Sequence, residues 1–569
     1  MSLLQQCRHL IDNINANFAG SQLCPTNILL DATLSQCKEW HSVNASQYNC
    51  SNDDYLQSLE PGQYRSVVAN YMSFNTDVAT SHFRTRKILF QQCTGGKINF
   101  AKASNIAEDP IMDLGSASIG AELHDAYLMT YLFTTEASSL GLLETLNDRI
   151  RASNNLLKYE DIFPKVQQMG DYCKDGKTKI DVLIADGDFF VPLVRLDLLE
   201  CDGKPLPHSW EDVVELAKFY NGTNLNNDGV ADDFGFCIFP RTGSGSFDPW
   251  IPELMYSTWA TTDQTRGIQQ GYVFDEETFE PRIGKGFEHA MDIWKEFWSC
   301  SADGCSTTNF VLGRCAIGYA PPGCWKSVFV NSAEEGVAWI NKDGSVQKNE
   351  TTGEVLWRPT MKDGSYAEPY HMKPFGSFSV VNCATDQYEK CAPDTCPEGE
   401  HTPPLSKLPE GDHARVLVES PHVNELINQV PFYWSGGYGN GIHKSSDPIV
   451  KDLIWDFFAY VNSPITPIDN VVLPTWLDEW RRSHLEKYNP CYKNGRWSEA
   501  AWKEHQQVML WALGSEVNSA MTLREPGLKY TRNVALPAFN EFMDGKITIK
   551  EAKASVQKGW SNVTMSRGN

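Results

Sequence analysis

Residues 179–236 constrain the fold of this chain more than any other stretch. Two short apolar runs, 180–185 and 189–194, predict two strands buried in an α/β sheet. Two acids, Asp186 and Asp188, stand on either side of a glycine between these runs. Because an unpaired buried carboxylate is costly, we expect both acids at the mouth of a cleft and not in a core.

A capped amphipathic helix follows the second run. Ser209 comes directly before the apolar periodicity and is a predicted N-cap, and Asp212 adds negative charge to the first turn. Apolar residues then recur at helical spacing as far as Tyr220. An Asn-Gly pair ends the helix, and after an acidic loop residues 234–239 predict another strand.

This order of strand, capped helix, Asn/Asp/Gly loop and strand resembles the extracellular solute-binding proteins of family 1, the maltose-binding kind. Other segments resemble the same family: Asp-Ala-Tyr at 125–127, the Gly-Leu-Leu element at 141–146, the glycine turn and strand of 309–325, and the glycine-rich strand and helix of 431–461. The resemblance covers roughly residues 97–565. It implies an α/β, two-lobed fold of the type II periplasmic-binding class, with a hinge and a cleft between the lobes.

A sugar presents hydroxyl groups and apolar C–H faces, so a site for it needs carboxylates or amides and flat aromatic rings. The resemblance implies that Asp188 is an acidic ligand contact and that Trp325 and Trp434 stack on the ligand. Further candidate contacts are Asp186, Tyr131, Trp250 and Tyr433. Any one of the 17 tryptophans is about as readily a core residue.

The predicted function is therefore binding of a small solute, a sugar or an oligosaccharide, for uptake or sensing. Two lobes would close around the ligand because contacts on both lobes favour the closed state. The predicted regions are an N-terminal extension at 1–95, with a helical segment near 63–73, and the two-lobed domain at 96–565. Within that domain, residues 341–412 have few periodic segments and are predicted as an insertion. A poorly ordered tail is the alternative for the first region.

The chain has 16 cysteines, and close pairs in turn-rich segments predict disulfides: Cys300 with Cys305, Cys315 with Cys324, and Cys391 with Cys396. Reduced core cysteines are the alternative. Disulfides belong to oxidising compartments, and Asn-x-Ser/Thr sequons agree with export. Residues 1–20 lack the apolar segment of a signal peptide, and no window has the roughly 18 to 20 apolar residues of a membrane span. We expect an extracellular or outward-facing anchored protein, and either its export signal belongs to a longer chain or the gene model lacks its first exon.

A formal net charge of −23 argues against nucleic acid or an anionic membrane as partner. The sequence has no nucleophile elbow, zinc-protease or phosphate-loop motif, so we predict no catalytic residue, cofactor or metal. Glycoside hydrolysis by Asp186 and Asp188 is the weaker alternative. Residues 224–232 resemble a calcium loop, but Gly235 stands where the loop needs a glutamate, a pattern more typical of a turn.

The disulfides, the sequons and the N-terminal extension differ from bacterial transport proteins. They look more like eukaryotic, algal-type versions, some of which are the outer part of membrane receptors with a nucleotide cyclase or kinase domain. The sequence leaves open whether the partner is an ABC permease or a fused signalling domain.

Overall fold

The computed structural model describes residues 54–73, 77–103, 113, 124–174, 177–226, 229–238, 251–263, 273–275, 278–300, 309–310, 313–326, 369–382, 384–405, 417–464, 466–467, 471–472, 475–485, 499–515, 518–522 and 527–565. Residues 1–53 of the predicted extension therefore lie outside the described part. The described residues form two compact units. Unit 1 comprises those within Met1–Asp188 and Gly436–Trp497, and unit 2 comprises those within Phe189–Asn341, Val346–Ser435 and Ser498–Asn569.

The strands are short and are numbered in chain order. They are β1 (Val68–Ser73), β2 (Lys97–Lys102), β3 (Ala126–Thr130), β4 (Asp171–Lys174), β5 (Lys177–Ile180), β6 (Val182–Ile184), β7 (Val191–Arg195), β8 (Phe234–Ile238), β9 (Cys315–Ala320), β10 (Pro369–His371), β11 (Gly376–Ser377), β12 (Ser379–Asn382), β13 (Gln387–Lys390), β14 (Glu400–His401), β15 (Leu426–Gln429), β16 (Phe432–Tyr433), β17 (Tyr438–Ile442) and β18 (Ala520–Met521).

The helices are numbered in the same way. They are α1 (Asp54–Gln57), α2 (Asp77–Thr94), α3 (Tyr131–Ser139), α4 (Asn147–Leu157), α5 (Pro164–Gly170), α6 (Leu196–Cys201), α7 (Trp210–Tyr220), α8 (Ile251–Asp263), α9 (Lys285–Cys300), α10 (Pro448–Val461), α11 (Arg482–Leu485), α12 (Glu499–Gly514), α13 (Gly527–Tyr530), α14 (Leu536–Met543) and α15 (Ile549–Met565). A 3₁₀ turn spans Tyr159–Asp161 and a π-helical turn spans Thr531–Ala535.

Unit 1 is built on a five-stranded sheet in the order β2-β1-β3-β17-β6. β1 runs parallel to β2 and β3, whereas β17 is antiparallel to both β3 and β6. A Cβ on Gly439 would lie 2.1 Å from the Val182 side chain, so glycine lets β17 approach β6 closely. Helix α10 packs on β1 and β17, and its buried Phe458 ring meets the Tyr71 ring of β1 edge-on at 5.5 Å.

Strand β1 precedes residue 96 and lies between β2 and β3 in this sheet. The folded domain therefore includes residues from within the segment 1–95 that we predicted as an extension. The segment near 63–73, predicted to be helical, is a turn followed by β1. That prediction was wrong because the run is too short for periodicity alone to separate strand from helix.

Unit 2 has a four-stranded sheet in the order β10-β7-β9-β8, in which β8 and β9 are parallel and the other pairs antiparallel. Helix α7 covers β9, where the buried Trp210 ring lies 5.0 Å from the Tyr319 ring. Ser209 and Asp212 form a capping box at its start, which confirms the predicted N-cap. Gly222 follows with φ +73, as the predicted helix end requires.

The two predicted strands of 180–194 are confirmed as β6 and β7, but they do not share a sheet. β6 is in the sheet of unit 1 and β7 in that of unit 2, and the chain passes from one unit to the other between Asp188 and Phe189. An apolar run predicts burial and not the neighbouring strand, which explains the error. The predicted strand after the acidic loop is confirmed as β8.

Two disulfides join described cysteines. Cys391–Cys396 is confirmed, but Cys315 is bonded to Cys237 and not to Cys324. Cys237 lies in β8 and Cys315 in the neighbouring strand β9, and their Cα atoms are 5.8 Å apart. Cys300 is a buried free thiol, so its predicted pairing with Cys305, a residue outside the described ranges, was also wrong.

The region predicted as an insertion, 341–412, is described only at 369–382 and 384–405. Its strand β10 extends the four-stranded sheet, and β14 pairs with β15. The region therefore contributes to the sheets of unit 2. None of the described helices has the length and apolar character that a membrane crossing demands.

Candidate functional site

Three buried carboxylates meet in unit 1. Asp186 and Asp188 follow the end of β6, and Asp478 precedes α11. One oxygen of each lies within 4.8 Å of the others, and the residues are 0%, 5% and 0% exposed. We call Asp186, Asp188 and Asp478 the acid trio.

We expected Asp186 and Asp188 at an exposed cleft mouth, but the structure buries both. The Oδ1 of Asp186 accepts hydrogen bonds from the main-chain N–H groups of Gly187 (3.0 Å) and Asp478 (2.7 Å). Such hydrogen bonds offset the cost of burying a carboxyl group. A Cβ on Gly187 would lie 2.0 Å from the Glu479 carbonyl oxygen, so glycine is required for the approach of segment 478–480.

Tyr131 begins α3 and fixes the main chain beside the trio. Its hydroxyl oxygen lies 2.8 Å from the Asp186 carbonyl oxygen and 2.7 Å from the Tyr438 carbonyl oxygen, and the two carbonyls share its single proton. Burial, and then the charges of Asp186 and Asp188, raise the pKa of Tyr131 well above its usual value. The phenol therefore stays protonated and remains a donor. Its ring limits the space at Gly437, where a Cβ would lie 2.6 Å from the ring and 3.1 Å from Asp188 Cβ.

The candidates Tyr433 and Trp434 belong to an aromatic cluster in unit 2. The Phe190 ring lies 5.5 Å from that of Trp434 and is stacked on Phe432 at 6.0 Å. Tyr433 donates its hydroxyl to the Ala512 carbonyl at 2.9 Å. Trp434 is 6% exposed and Tyr433 is 1% exposed, so in this structure both rings are mainly packed against protein.

Trp325 lies in another group of unit 2 side chains. Its Nε1 donates to the Val191 carbonyl of β7 at 3.1 Å, and its ring lies 5.4 Å from that of Phe310. A Cβ on Gly318 in β9 would be 2.5 Å from this ring, and Trp325 has no exposed surface. The remaining candidate, Trp250, lies outside the described residues.

The sequence reasoning missed two acids, Asp478 and Glu253. Glu253 is fully buried in α8 of unit 2. Its Oε2 accepts from the Ser435 main-chain N–H at 3.0 Å, and its Oε1 accepts from the Ser435 hydroxyl. Burial raises the pKa of Glu253 to about 7, and the donors from Ser435 and Thr522 oppose that rise. A single acid within the otherwise uncharged run 251–262 was a visible signal; Asp478 had no comparable one.

The trio has two chemical capacities. Ionised carboxylates accept hydrogen bonds from hydroxyl groups, and their oxygens also suit a hard cation. Among the described residues, the carboxylates of the acid trio are the group whose oxygen atoms lie close enough together to bind one metal ion. In the segment that resembles a calcium loop, Asp232 is ion-paired with Arg314 at 3.0 Å, an arrangement typical of the turn that we predicted.

The fold of strands and helices in two units, joined by repeated chain crossings, is that of the type II solute-binding class. Matches to solved structures of this class confirm the predicted fold class. The maltose-bound MalE3 of T. maritima has a TM-score of 0.56 and 14% identity over 88% of this chain and 100% of its own. The ribitol complex of an ABC transporter solute-binding protein from Agrobacterium radiobacter K84 has a TM-score of 0.55 and 14% identity. The match covers 88% of this chain and 99% of that protein. The cycloalternan complex of the ABC substrate-binding protein Lmo0181 from Listeria monocytogenes has a TM-score of 0.53 and 12% identity. The match covers 88% of this chain and 99% of that protein.

No family model matches the chain, and no curated protein matches it. At these identities the structural likeness shows the fold alone.

Proposed function

We propose that this protein binds a small solute of the sugar or polyol class and leaves it chemically intact. The observation that carries the proposal is the acid trio, a set of buried carboxylates in a solute-binding fold. A sugar offers several hydroxyl donors to such acceptors. The structural neighbours are complexes with maltose, ribitol and cycloalternan, which are all polyhydroxylated and so support this ligand class.

In this proposal Asp188 is the principal polar contact and Trp434 is a stacking ring. Asp186 and Tyr131 hold the main chain around Asp188 through the hydrogen bonds described above. Trp325 has no exposed surface, so a ligand would contact it only after unit 2 rearranges. Trp250 and Tyr433 complete the set of proposed contacts.

We further propose that the protein acts outside the cytoplasm and delivers its solute to an ABC permease. Support comes from the disulfides, which belong to oxidising compartments, and from neighbours described as ABC transporter proteins. The receptor alternative, with a fused cyclase or kinase domain, stays a prediction from the sequence. So does the eukaryotic, algal-type origin.

Isothermal titration of the purified protein with maltose, maltotriose, ribitol and mannitol tests the ligand class. Asp188→Asn should weaken binding by about tenfold to a hundredfold, since a hydrogen bond to a charged acceptor contributes about 1.5–3 kcal/mol. Asp148→Asn is the matched control, because that side chain is 89% exposed in α4. Circular dichroism verifies that each variant is folded.

Failure of all four solutes to bind at millimolar concentration would overturn the proposed ligand class. Equal affinities of Asp188→Asn and wild type for a bound sugar would overturn the assigned contact. Chromatography of the maltotriose recovered after binding separates the enzyme alternative, because a hydrolase would release shorter sugars.

A further inference from the structure

Unit 2 contains a cavity of about 290 Å³ where β10, β14 and α12 meet. None of the six described candidate residues from the sequence lines it. Ligand pockets begin at about 300 Å³, and one water molecule occupies about 30 Å³ of liquid. The cavity therefore suits a ligand of roughly ten non-hydrogen atoms.

Among the lining residues that the structure describes, the charged side chains are two carboxylates and one ammonium group: Glu400, Glu504 and Lys373. Lys373 forms an ion pair with Glu400, which also accepts a hydrogen bond from the Trp511 indole. Glu504 is 6% exposed and accepts from the His371 main-chain N–H. Two negative charges and one positive charge give these three described side chains a net formal charge of −1.

The buried histidines of the lining do not cancel this charge. Burial lowers the pKa of His208, and burial together with the neighbouring His505 lowers the pKa of His371 well below its usual value. Both imidazoles are therefore neutral near pH 7 and act as hydrogen-bonding groups. The His371 and His505 rings are stacked with centroids 5.1 Å apart, which agrees with a neutral His371 ring.

Apolar groups form the rest of the wall. Tyr370, Met372 and Val508 all line the cavity and are at most 9% exposed. Such a surface accommodates methylene groups, and an aromatic ring such as that of Tyr370 attracts a cation placed over its face. Gln507, on the same helix as Glu504, is exposed and also lines the cavity, so a ligand has a route of entry beside α12.

We propose that this cavity binds a small organic cation, a primary amine or guanidine compound with a short apolar chain. The ammonium or guanidinium group is held by Glu504 and the chain lies along Tyr370, Met372 and Val508. This site is separate from the proposed sugar contacts and does not depend on them. The net negative charge of the described lining side chains disfavours anions, and it gives a diamine an electrostatic advantage over a neutral diol of equal length.

Isothermal titration with putrescine and agmatine tests the proposal, and 1,4-butanediol is the uncharged counterpart of putrescine. We expect both amines to bind and the diol to bind at least tenfold more weakly. Glu504→Gln should weaken putrescine binding by about tenfold or more. Glu215→Gln makes the same change at an exposed position of α7 and should leave binding unchanged. Equal binding of diol and diamine, or no effect of Glu504→Gln, would overturn the proposal.

Lys373→Gln provides a test in the opposite direction. Removing this ammonium group makes the cavity more negative, so putrescine should bind more tightly, on the order of threefold to tenfold. A damaged fold does not produce tighter binding, so weaker or unchanged binding to this variant would contradict the model.

Asp188→Asn separates the two proposed sites. It should leave putrescine binding intact, and Glu504→Gln should leave maltose binding intact. Loss of putrescine binding in Asp188→Asn would place the amine at the acid trio and overturn the cavity proposal. Putrescine binding without any sugar binding would instead overturn the sugar proposal alone.

Discussion

Substitution of Glu253 tests most directly how a buried carboxylate affects the free energy of unfolding of unit 2. Its carboxylate is fully buried in α8, and both of its oxygens accept hydrogen bonds from Ser435. Burial raises its pKa from 4.5 to about 7. We predict that Glu253→Gln is about as stable as wild type near pH 4 and more stable than wild type at pH 8.

The size of this stability difference follows from the pKa of Glu253 in the folded and in the unfolded chain. Below pH 4.5 the carboxyl is protonated in both the folded and the unfolded chain. Between pH 4.5 and about 7 the unfolded chain releases the proton while the folded chain retains it, so stability falls as pH rises and levels off above 7. At about 1.4 kcal/mol per pKa unit, the loss is about 3 kcal/mol.

A glutamine side chain imitates the protonated acid, since it offers one acceptor to the Ser435 N–H and one donor to the Ser435 hydroxyl. The variant therefore keeps the low-pH hydrogen bonds and avoids the ionisation above pH 4.5. The difference in unfolding free energy between variant and wild type should rise by about 3 kcal/mol across this window. Titrating groups elsewhere contribute equally to both proteins and cancel in the difference.

Urea unfolding followed by tryptophan fluorescence at pH 4 to 8 measures this difference. The transition of unit 2, which contains Glu253, is the one to compare, because a chain with two compact units can unfold in more than one step. Glu215→Gln, at an exposed position of α7, reports the effect of the substitution itself. A difference that stays constant with pH would refute the raised pKa, and a variant less stable at pH 8 would show that the ionised carboxylate is required.

Two further predictions concern stability. Cys237→Ala should cost about 4.5 kcal/mol and Cys391→Ala about 2 kcal/mol in the chain-entropy model, because the disulfides join residues 78 and 5 positions apart. Urea unfolding without reductant measures both costs, and the reverse order would contradict this reasoning. Tyr131→Phe should cost about 1–3 kcal/mol, because the carbonyls of Asp186 and Tyr438 lose their donor. It should also weaken sugar binding, and unchanged melting and titration curves would show that the hydroxyl does not position the trio.

The elements that the sequence predicted correctly depend on neighbours within a few residues. The capping box of α7 joins Ser209 to Asp212 across three positions, and the turn at Gly222 needs only a residue that tolerates positive φ. Strands β6 and β7 were likewise visible as apolar runs. Their assignment to different sheets was not, because hydrophobicity records burial and carries no information on which strand lies alongside.

The disulfides show the same contrast: the pair close in sequence was predicted, and the pair distant in sequence was missed. Cys391 and Cys396 close a loop of five positions, which spacing alone predicted. Cys237 and Cys315 are 78 positions apart and lie on two strands, β8 and β9, that are neighbours in one sheet. Since a spacing rule favours the nearest partner, it assigned Cys315 to Cys324 and missed the strand pairing.

The acid trio shows how a correct physical rule led to a wrong expectation of exposure. Burial of a carboxylate is costly without partners, but Asp186 has main-chain donors from its own neighbour Gly187 and from Asp478, 292 positions away. Glycine at 187 permits this, because any Cβ would collide with the Glu479 carbonyl. The glycine between two acids was visible in the sequence, whereas the segment that supplies the distant donor became visible only in the fold. An Asp-Gly-Asp sequence after a buried strand is therefore compatible with a buried, hydrogen-bonded acid as well as with an exposed one, and the packing of the glycine decides between them.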